Sequence, residues 1–446
     1  MKVGILNSTL GWKLVAQQLG VELVEVSPFS FSNDKYQLII VNRICNSDEK
    51  VILNKLISTG TNLLEVNNYL SNSLTYTKII KSIHPSIVNI PLQNEMIDIN
   101  SNVTFYNNNS FLSFFKQSNS IIYQLGLNID DIFSDSSCVR KNFYSSSDRF
   151  PNEIVASNSK NSVRQIIQHI FQQTIKDYKF QKNESIFTFR IDTDSGSINQ
   201  MNELYQTLNN YSIKGSWFMD VKHQIPFLNN LKDFKNQEIG IHCYEHSSFK
   251  NLQLRKKDIK NAFSITNSLG LKINGITSPF GEWNFEINKL FEDFGFQYSS
   301  EFTLDYDNYP FYSIMNNRFS TVLQLPVYPI CIGSLRTAGF SEKQMIDYFE
   351  KVITQKFNMN EPICIYHHPT HRHISVLESI FKLITKLGIP NLTYSEYSNY
   401  WKKGLLNFGS SIKYNPVYPD NLNSTRNFTF RHKVQNILDN FNKLTL

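Results

Sequence analysis

The sequence predicts an α/β protein in which a small parallel α/β domain is followed by a distorted (β/α)7 barrel. Three observations predict it. Short apolar runs alternate with helical patterns over the first 66 residues, the order that builds a parallel sheet. A longer series of about seven strand and helix signals begins near residue 184. Acidic residues and histidines gather where those later strands end, and a parallel barrel carries its active site at that rim.

In the first series the strands are VGIL (3–6), ELVEV (22–26), LIIV (38–41) and NLLEV (62–66), with helices over 11–19 and about 48–58. No GxGxxG or GxxxxGK[ST] follows the first strand, so no phosphate-binding loop is expected. An amphipathic helix over about 163–180 keeps Val163, Ile166, Ile167, Ile170 and Phe171 at helical spacing and leads into the second series. There the strands are SIFTFRID (185–192), IKGSWFM (213–219), QEIGIHC (237–243), INGITSP (273–279), FQYSSEF (296–302), VLQLPVY (322–328) and PICIYHH (362–368). Helices are expected over 198–209, 256–269, 285–294, 342–357 and 375–387. The resulting division is a Rossmann-like domain (1–125), a connecting helical segment (126–183), the barrel (184–402) and a tail (403–446). The tail has a Pro- and Asn-rich stretch at 414–423 and a last helix near 434–444.

Composition narrows the function classes. The 446 residues suffice for two or three domains, and 41% hydrophobic against 18% charged residues describes a folded chain. The net charge of +6 is spread without a long basic block, which argues against nucleic acid as the main partner. The five cysteines (Cys45, Cys138, Cys243, Cys331, Cys364) are odd in number, scattered and without a CxxC pair, so they read as reduced thiols of a cytoplasmic protein. Neither a secretion leader nor a membrane span of about 18 apolar residues is visible, so no membrane insertion is expected.

The strand ends carry the chemistry. The first ends in Asp192-Thr193-Asp194, the third in His242 followed by His246, the fourth in Ser278-Pro279-Phe280-Gly281, and the last in His367-His368-Pro369. Histidines at i and i+4 project from one side of a helical turn, and one added carboxylate makes a His₂-carboxylate set with a coordination position left for water or substrate. Residues i and i+2 of the DxD point to one side, so one carboxylate can ligate while the other acts as base. Hydrolysis of a carbonyl also needs an acid for the leaving group, and Asp192 and His368 fill the two proton roles. Taken singly, each piece has a plainer reading. A lone HxxxH is weak, the DxD suits a turn or helix cap ahead of Ser195 and Ser197, and His367 and His368 can simply finish a strand. Trp217 reads as core, while Trp283 either packs on the barrel top or stacks on a sugar face. Their joint position on one rim favours a site.

These motifs resemble those of the NodB-homology polysaccharide deacetylases, carbohydrate esterase family 4. TFRIDTDSG (188–196) looks like the family's first motif and IKGSWFM (213–219) like its second strand. NQEIGIHCYEH (236–246) is similar to the second motif, GITSPFGEWN (275–284) to the third, FEDFGFQYSS (291–300) to the helix and strand after it, and ICIYHHPTH (363–371) to the final histidine motif. The likeness covers about 184–402, roughly half the chain. It implies the NodB-type deacetylase fold, Asp194, His242 and His246 as ligands of a divalent ion, zinc first, Asp192 as general base and His368 as general acid. It also implies removal of N- or O-acetyl groups from glycans, and Pro279, Phe280 and Trp283 are the residues expected at the substrate. Two departures stand out. Thr193 separates the aspartates, and Thr277 stands where the third motif carries an arginine that orients the base carboxylate, so that either activity is reduced or Arg190, Arg336 or Arg372 approaches from another strand end. The function expected is therefore a metal-dependent deacetylase acting on an acetylated carbohydrate. The alternatives are a carbohydrate-binding or scaffolding protein of the same fold, supported by the missing arginine, and a hydrolase of a non-glycan amide.

Overall fold

The structure is a computed structural model that describes residues 1–30, 36–66, 112–125, 161–178 and 185–402, with isolated short segments between them. Positions 232, 247–250, 282, 302–307, 316–317, 329, 338 and 359 interrupt the last stretch. The tail expected over 403–446, with its terminal helix, lies outside the described residues.

The described chain separates into two compact units, the first drawing on Met1–Asp135 and Asn158–Asn183, the second on Glu184–Lys403. In the first unit β1 (Lys2–Leu6), α1 (Leu10–Gln18), β2 (Glu22–Glu25), β3 (Leu38–Val41), α2 (Ser47–Ser58) and β4 (Asn62–Val66) follow one another in sequence. An antiparallel hairpin, β5 (Leu112–Gln117) and β6 (Ser120–Leu125), adds two strands that the sequence reading did not anticipate. The sheet order is β2-β1-β3-β4-β6-β5, with all pairings parallel except the hairpin. Helix α2 begins where it does because Asn46 and Glu49 form a reciprocal capping box, and Arg43 grips Glu49 at 2.6 and 2.9 Å. Helix α3 (Asn161–Thr174), expected to lead into the second unit, belongs to the first. Asn62 donates to the Thr174 carbonyl, Lys176 N–H donates to Gln37 Oε1, and Tyr178 O–H donates to the Leu19 carbonyl. Its Ile167, Ile170 and Phe171 are fully buried.

The second unit is built on one sheet. Its strands are β7 (Phe187–Asp192), β8 (Gly215–Asp220), β9 (Glu238–Cys243), β10 (Gly275–Ile276), β11 (Tyr298–Ser299), β12 (Phe311–Met315), β13 (Arg318–Gln324) and β14 (Ile363–His367). The order is β12-β13-β11-β10-β9-β8-β7-β14, and seven strands are parallel while β12 pairs antiparallel with β13 at the edge. The expected barrel is thus a curled, incomplete one. No ladder joins β13 to β14 among the described residues. The opening is bridged instead by the Tyr328 N–H donating to the Cys364 carbonyl at 2.8 Å and by Asn308 Oδ1 accepting from the Cys364 N–H at 3.2 Å. Helices α4 (Ile198–Asn210), α5 (Leu252–Ser268), α6 (Phe285–Asp293), α7 (Ile332–Thr337), α8 (Glu342–Asn358), α9 (Ile374–Lys386) and α10 (Tyr394–Lys402) connect or flank the strands.

Strands β7, β8 and β14 are buried at every residue, as parallel strands covered on both faces must be. Their side chains nevertheless divide by alternation. Phe187 and Phe189 pack edge-on to Phe381 of α9, whereas Arg190 lies against the Phe218 and Tyr366 rings and grips Asp192. The N-terminal ends of the strands are sealed by the chain entering α10. Phe187 N–H donates to the Pro390 carbonyl, Asn391 bonds the backbone of Phe187 and Lys214, and Ser395 N–H donates to Glu238. The opposite rim is left for polar groups. Among the described residues no helix is long and apolar enough to cross a membrane.

Because Phe189 is fully buried and anchors β7 to α9, Phe189→Ala is expected to destabilise the protein by about 3–5 kcal/mol, measured by denaturant unfolding.

Candidate metal centre

Each functional side chain is delivered by a strand end and fixed by its local turn. Asp192 closes β7, and the chain then turns through Thr193-Asp194-Ser195-Gly196, with Ser195 at φ 57° and the Gly196 N–H bonded to the Thr193 carbonyl at 2.6 Å. A Cβ at Gly196 would stand 2.8 Å from that carbonyl oxygen and 3.2 Å from Pro369, so only glycine fits so close a turn. The cap of α4 is Ser197, in a capping box with Gln200. The two aspartates are therefore not spent on the helix terminus, and both side chains are free to face the rim.

His242 sits in β9, and His246 follows a bend at Tyr244 and Glu245. The pair does not lie on a helical turn, as the HxxxH spacing suggested. It is held by Asp258 of α5, whose carboxylate accepts from the Tyr244 and Glu245 N–H groups at 3.0 and 2.9 Å and folds the chain back after the strand. The rings stand 5.1 Å apart at 39°.

Asp194, His242 and His246 come together. Asp194 Oδ1 is 3.2 Å from His242 Nε2, Asp194 Oδ2 is 3.6 Å from His246 Nε2, and one ligand atom from each lies within 4.8 Å of the others. Asp194 Oδ1 is buried yet makes no hydrogen bond, despite the nearness of His242, which is what a ligand atom facing a shared point would show. Thr277, at the position expected to carry an arginine, places its Oγ1 2.8 Å from His242 Nδ1 and so leaves Nε2 for the shared point. The donor set suits a zinc-type ion.

His368 and Asp192 flank this group. His368 Nε2 is 3.1 Å from Asp194 Oδ2 and 4.0 Å from Asp192 Oδ2. His367 points the other way, stacked on Phe189, with neither ring nitrogen bonded. The charge missing at Thr277 is present elsewhere. Arg190, two residues before Asp192 on the same face of β7, donates to both of its carboxylate oxygens at 2.7 and 2.6 Å and to the Ser300 carbonyl at 2.6 Å. Arg336 instead donates to the His371 carbonyl, and Arg372 is exposed.

The electrostatics follow from this crowding. Burial would raise the Asp192 carboxyl, but the charges of Arg190 and His242 outweigh it and hold it below its usual value. Asp194 is held well below its usual value against the same burial, by His368 and His242. Burial lowers His246 to about 4, so its imidazole is neutral. His368, which burial alone would lower, is lifted to about 10 chiefly by the Asp194 carboxylate.

Of the residues expected at the substrate, Phe280 is half-buried at φ 60° and stands edge-on to His246 with centroids 4.6 Å apart. Pro279 is buried. Trp283 is 1% exposed and packs on Phe285, so its ring belongs to the packing beneath the rim.

Comparisons with known proteins come from structure. No family model matches the sequence, and no curated protein matches it. The chain is similar to the structure of a polysaccharide deacetylase from Mycobacterium smegmatis described as putative, at 14% identity over 54% of this chain and 97% of that one, with a TM-score of 0.44. It is similar to a probable polysaccharide deacetylase from Pseudomonas aeruginosa at 12% identity over 49% and 91%, TM-score 0.42. A carbohydrate esterase family 4 pseudoenzyme from Bacillus anthracis is similar at 14% identity over 49% and 66%, TM-score 0.35.

Sequence reasoning missed Glu301, just past β11. It is 1% exposed, accepts from the Ser278 N–H and Ser299 hydroxyl through Oε1, and leaves Oε2 without a partner. The segment SSEF offers no periodicity that marks it, since its burial comes from strands distant in sequence. Burial raises its carboxyl to about 7 from 4.5. The folded protein thus keeps a proton that the unfolded chain releases, and stability should fall as pH rises from about 4.5 to about 7, by about 3 kcal/mol in all. Glu301→Gln should flatten that fall, as measured by urea unfolding on either side of the window.

Proposed function

We propose that the chain is a metal-dependent hydrolase that removes acetyl groups from an N- or O-acetylated glycan or glycan precursor. The observation that carries this reading is the meeting of Asp194, His242 and His246 beside an arginine-clamped Asp192 and His368. In this reading the first three residues hold a divalent ion, zinc first, which supplies Lewis acidity to the acetyl carbonyl and to water. Thr277 orients His242 through Nδ1. The motif resemblance of residues 184–402 supports the acetylated-carbohydrate class.

Asp192 is the general base. Its two bonds to Arg190 keep it ionised and fix its plane, and Arg190 is itself tethered to the Ser300 carbonyl, so the carboxylate is ready to take a proton from the attacking water. His368 carries a proton at neutral pH in the field of Asp194 and is placed to give it to the departing amine or alkoxide. A cation on Asp194 would offset part of that pull and bring His368 toward the working range. Phe280, beside His246, is the aromatic placed to touch substrate, with Pro279 shaping the turn under it.

Arg190 also weighs on the choice between readings. The missing motif arginine was the main support for a binding or scaffolding protein without turnover, and Arg190 supplies that charge from β7. Among the described residues Cys45, Cys243, Cys331 and Cys364 form no disulfide, which supports a cytoplasmic setting.

Purified protein is expected to hold a tightly bound ion of this kind at the His₂-Asp set, and His242→Ala should carry about one equivalent fewer than the wild type by elemental analysis while keeping the fold. Asp192→Asn should keep the ion and lose about 10²–10⁴ of the turnover on acetylated sugars. Retained turnover in that variant would remove Asp192 from its role. Arg190→Lys, which breaks the two-point grip, should move the acid limb of the kcat/KM profile to higher pH, because the base carboxyl then ionises later.

A further inference from the structure

A second convergence of metal-donor side chains lies on the other nitrogen of His368. The chain after β14 makes one 3-10 turn, Pro369–His371, closed by the His371 N–H donating to the His368 carbonyl at 2.8 Å. His368 is the extended cap of that turn, and the turn folds the chain back so that the two imidazoles come close together. Their centroids are 4.3 Å apart and their Nδ1 atoms 3.3 Å apart. Cys331, immediately before α7 and 1% exposed, presents its Sγ 3.9 Å from His371 Nδ1. One donor atom from each of the three lies within 4.8 Å of the others.

These spacings match a tetrahedral ion. Bonds of about 2.05 Å to nitrogen and about 2.3 Å to sulfur set N···N near 3.3 Å and S···N near 3.6 Å, within a few tenths of an ångström of what is seen. The neighbouring backbone makes room for the arrangement. A Cβ at Gly333 would fall 2.2–2.4 Å from the His371 ring atoms, so any other residue there would displace the His371 ring from this position.

We propose that Cys331, His371 and the Nδ1 of His368 form a second site for a thiophilic divalent cation such as zinc, coupled to the Asp194, His242 and His246 group through the His368 imidazole, whose Nε2 faces Asp194. The two groups differ in ligand chemistry. One offers only nitrogen and oxygen donors, while the other includes a thiolate, which selects zinc-like ions over magnesium or calcium. Binding displaces the thiol proton and leaves neither Nδ1 protonated, so uptake releases protons and strengthens as pH rises. Without a cation the same three side chains are a hydrogen-bonded cluster, and titration separates the two states.

The test uses the full chain, reduced, stripped with a chelator and titrated with cobalt(II), whose near-ultraviolet charge-transfer band reports a thiolate ligand. Two equivalents per chain are expected, one of them producing the band. Cys331→Ser should lose the band and one equivalent while keeping the other, and His371→Asn should weaken the band-forming equivalent about 10-fold or more. His242→Ala should keep the band and lose the other equivalent. A single equivalent that gives the band and survives His242→Ala would support this site while overturning the ligand set proposed for hydrolysis. Wild-type protein with no thiolate band, or a band that persists in Cys331→Ser, would overturn the second site. Should Cys331→Ser not fold, His371→Asn decides the question: a band-forming equivalent weakened about 10-fold or more supports the site, and one as tight as in the wild type overturns it.

Discussion

The pairing of Arg190 with Asp192 is the constraint on which the candidate site depends. Both side chains are about 3% exposed, and each would be costly to bury as a lone charge. Together they satisfy one another in a two-point grip, and the third guanidinium contact ties the pair to the far side of the curled sheet at Ser300. A carboxylate held this way cannot swing, stays ionised, and sets the position against which His368 and Asp194 are arranged. Truncating the arginine would leave a buried carboxylate uncompensated, a loss of about 3–5 kcal/mol in comparable pairs. The pair is thus both part of the interior and part of the candidate site.

Around it, the rim is assembled from short devices that each serve one residue. Gly196 lets the DTDSG turn pass close to Pro369, Ser197 takes over the cap of α4, Asp258 folds the HCYEH segment, and Thr277 turns the His242 ring. The devices sit on three different parts of the sheet rim, after β7, on α5 and after β10, so the donors converge because the parallel strands end together. His368 is the junction. Its Nε2 faces the aspartates and its Nδ1 faces His371, so a change on either side of the ring is felt on the other.

Much of this was legible in the sequence. The seven parallel strands of the second unit and the four of the first were marked by runs of apolar residues bounded by turns. Asp192, Asp194, His242, His246 and His368 were legible because chemistry-bearing residues clustered at strand ends. Other features were not. The hairpin at 112–125 lay beyond the βα alternation that made the first unit readable. The HxxxH pair was read as helical because the spacing is the same whether a helix or a strand-plus-bend carries it, and only the bonds from Asp258 decide between them. Trp283 stood between core and surface until its packing on Phe285 placed it beneath the rim.

What the sequence by itself determined is which residue types stand at which strand ends, since alternation and turn chemistry act over a few residues and leave a local trace. What only the tertiary structure decided is which groups meet across strands. Of Arg190, Arg336 and Arg372, the two-residue period of β7, together with the curl that brings Ser300 opposite, selects Arg190 as the partner of Asp192. The Glu301–Ser278, Thr277–His242 and Cys331–His371 approaches have no local signature, because the partners lie 23, 35 and 40 residues apart in sequence and are brought together by the curl of the sheet.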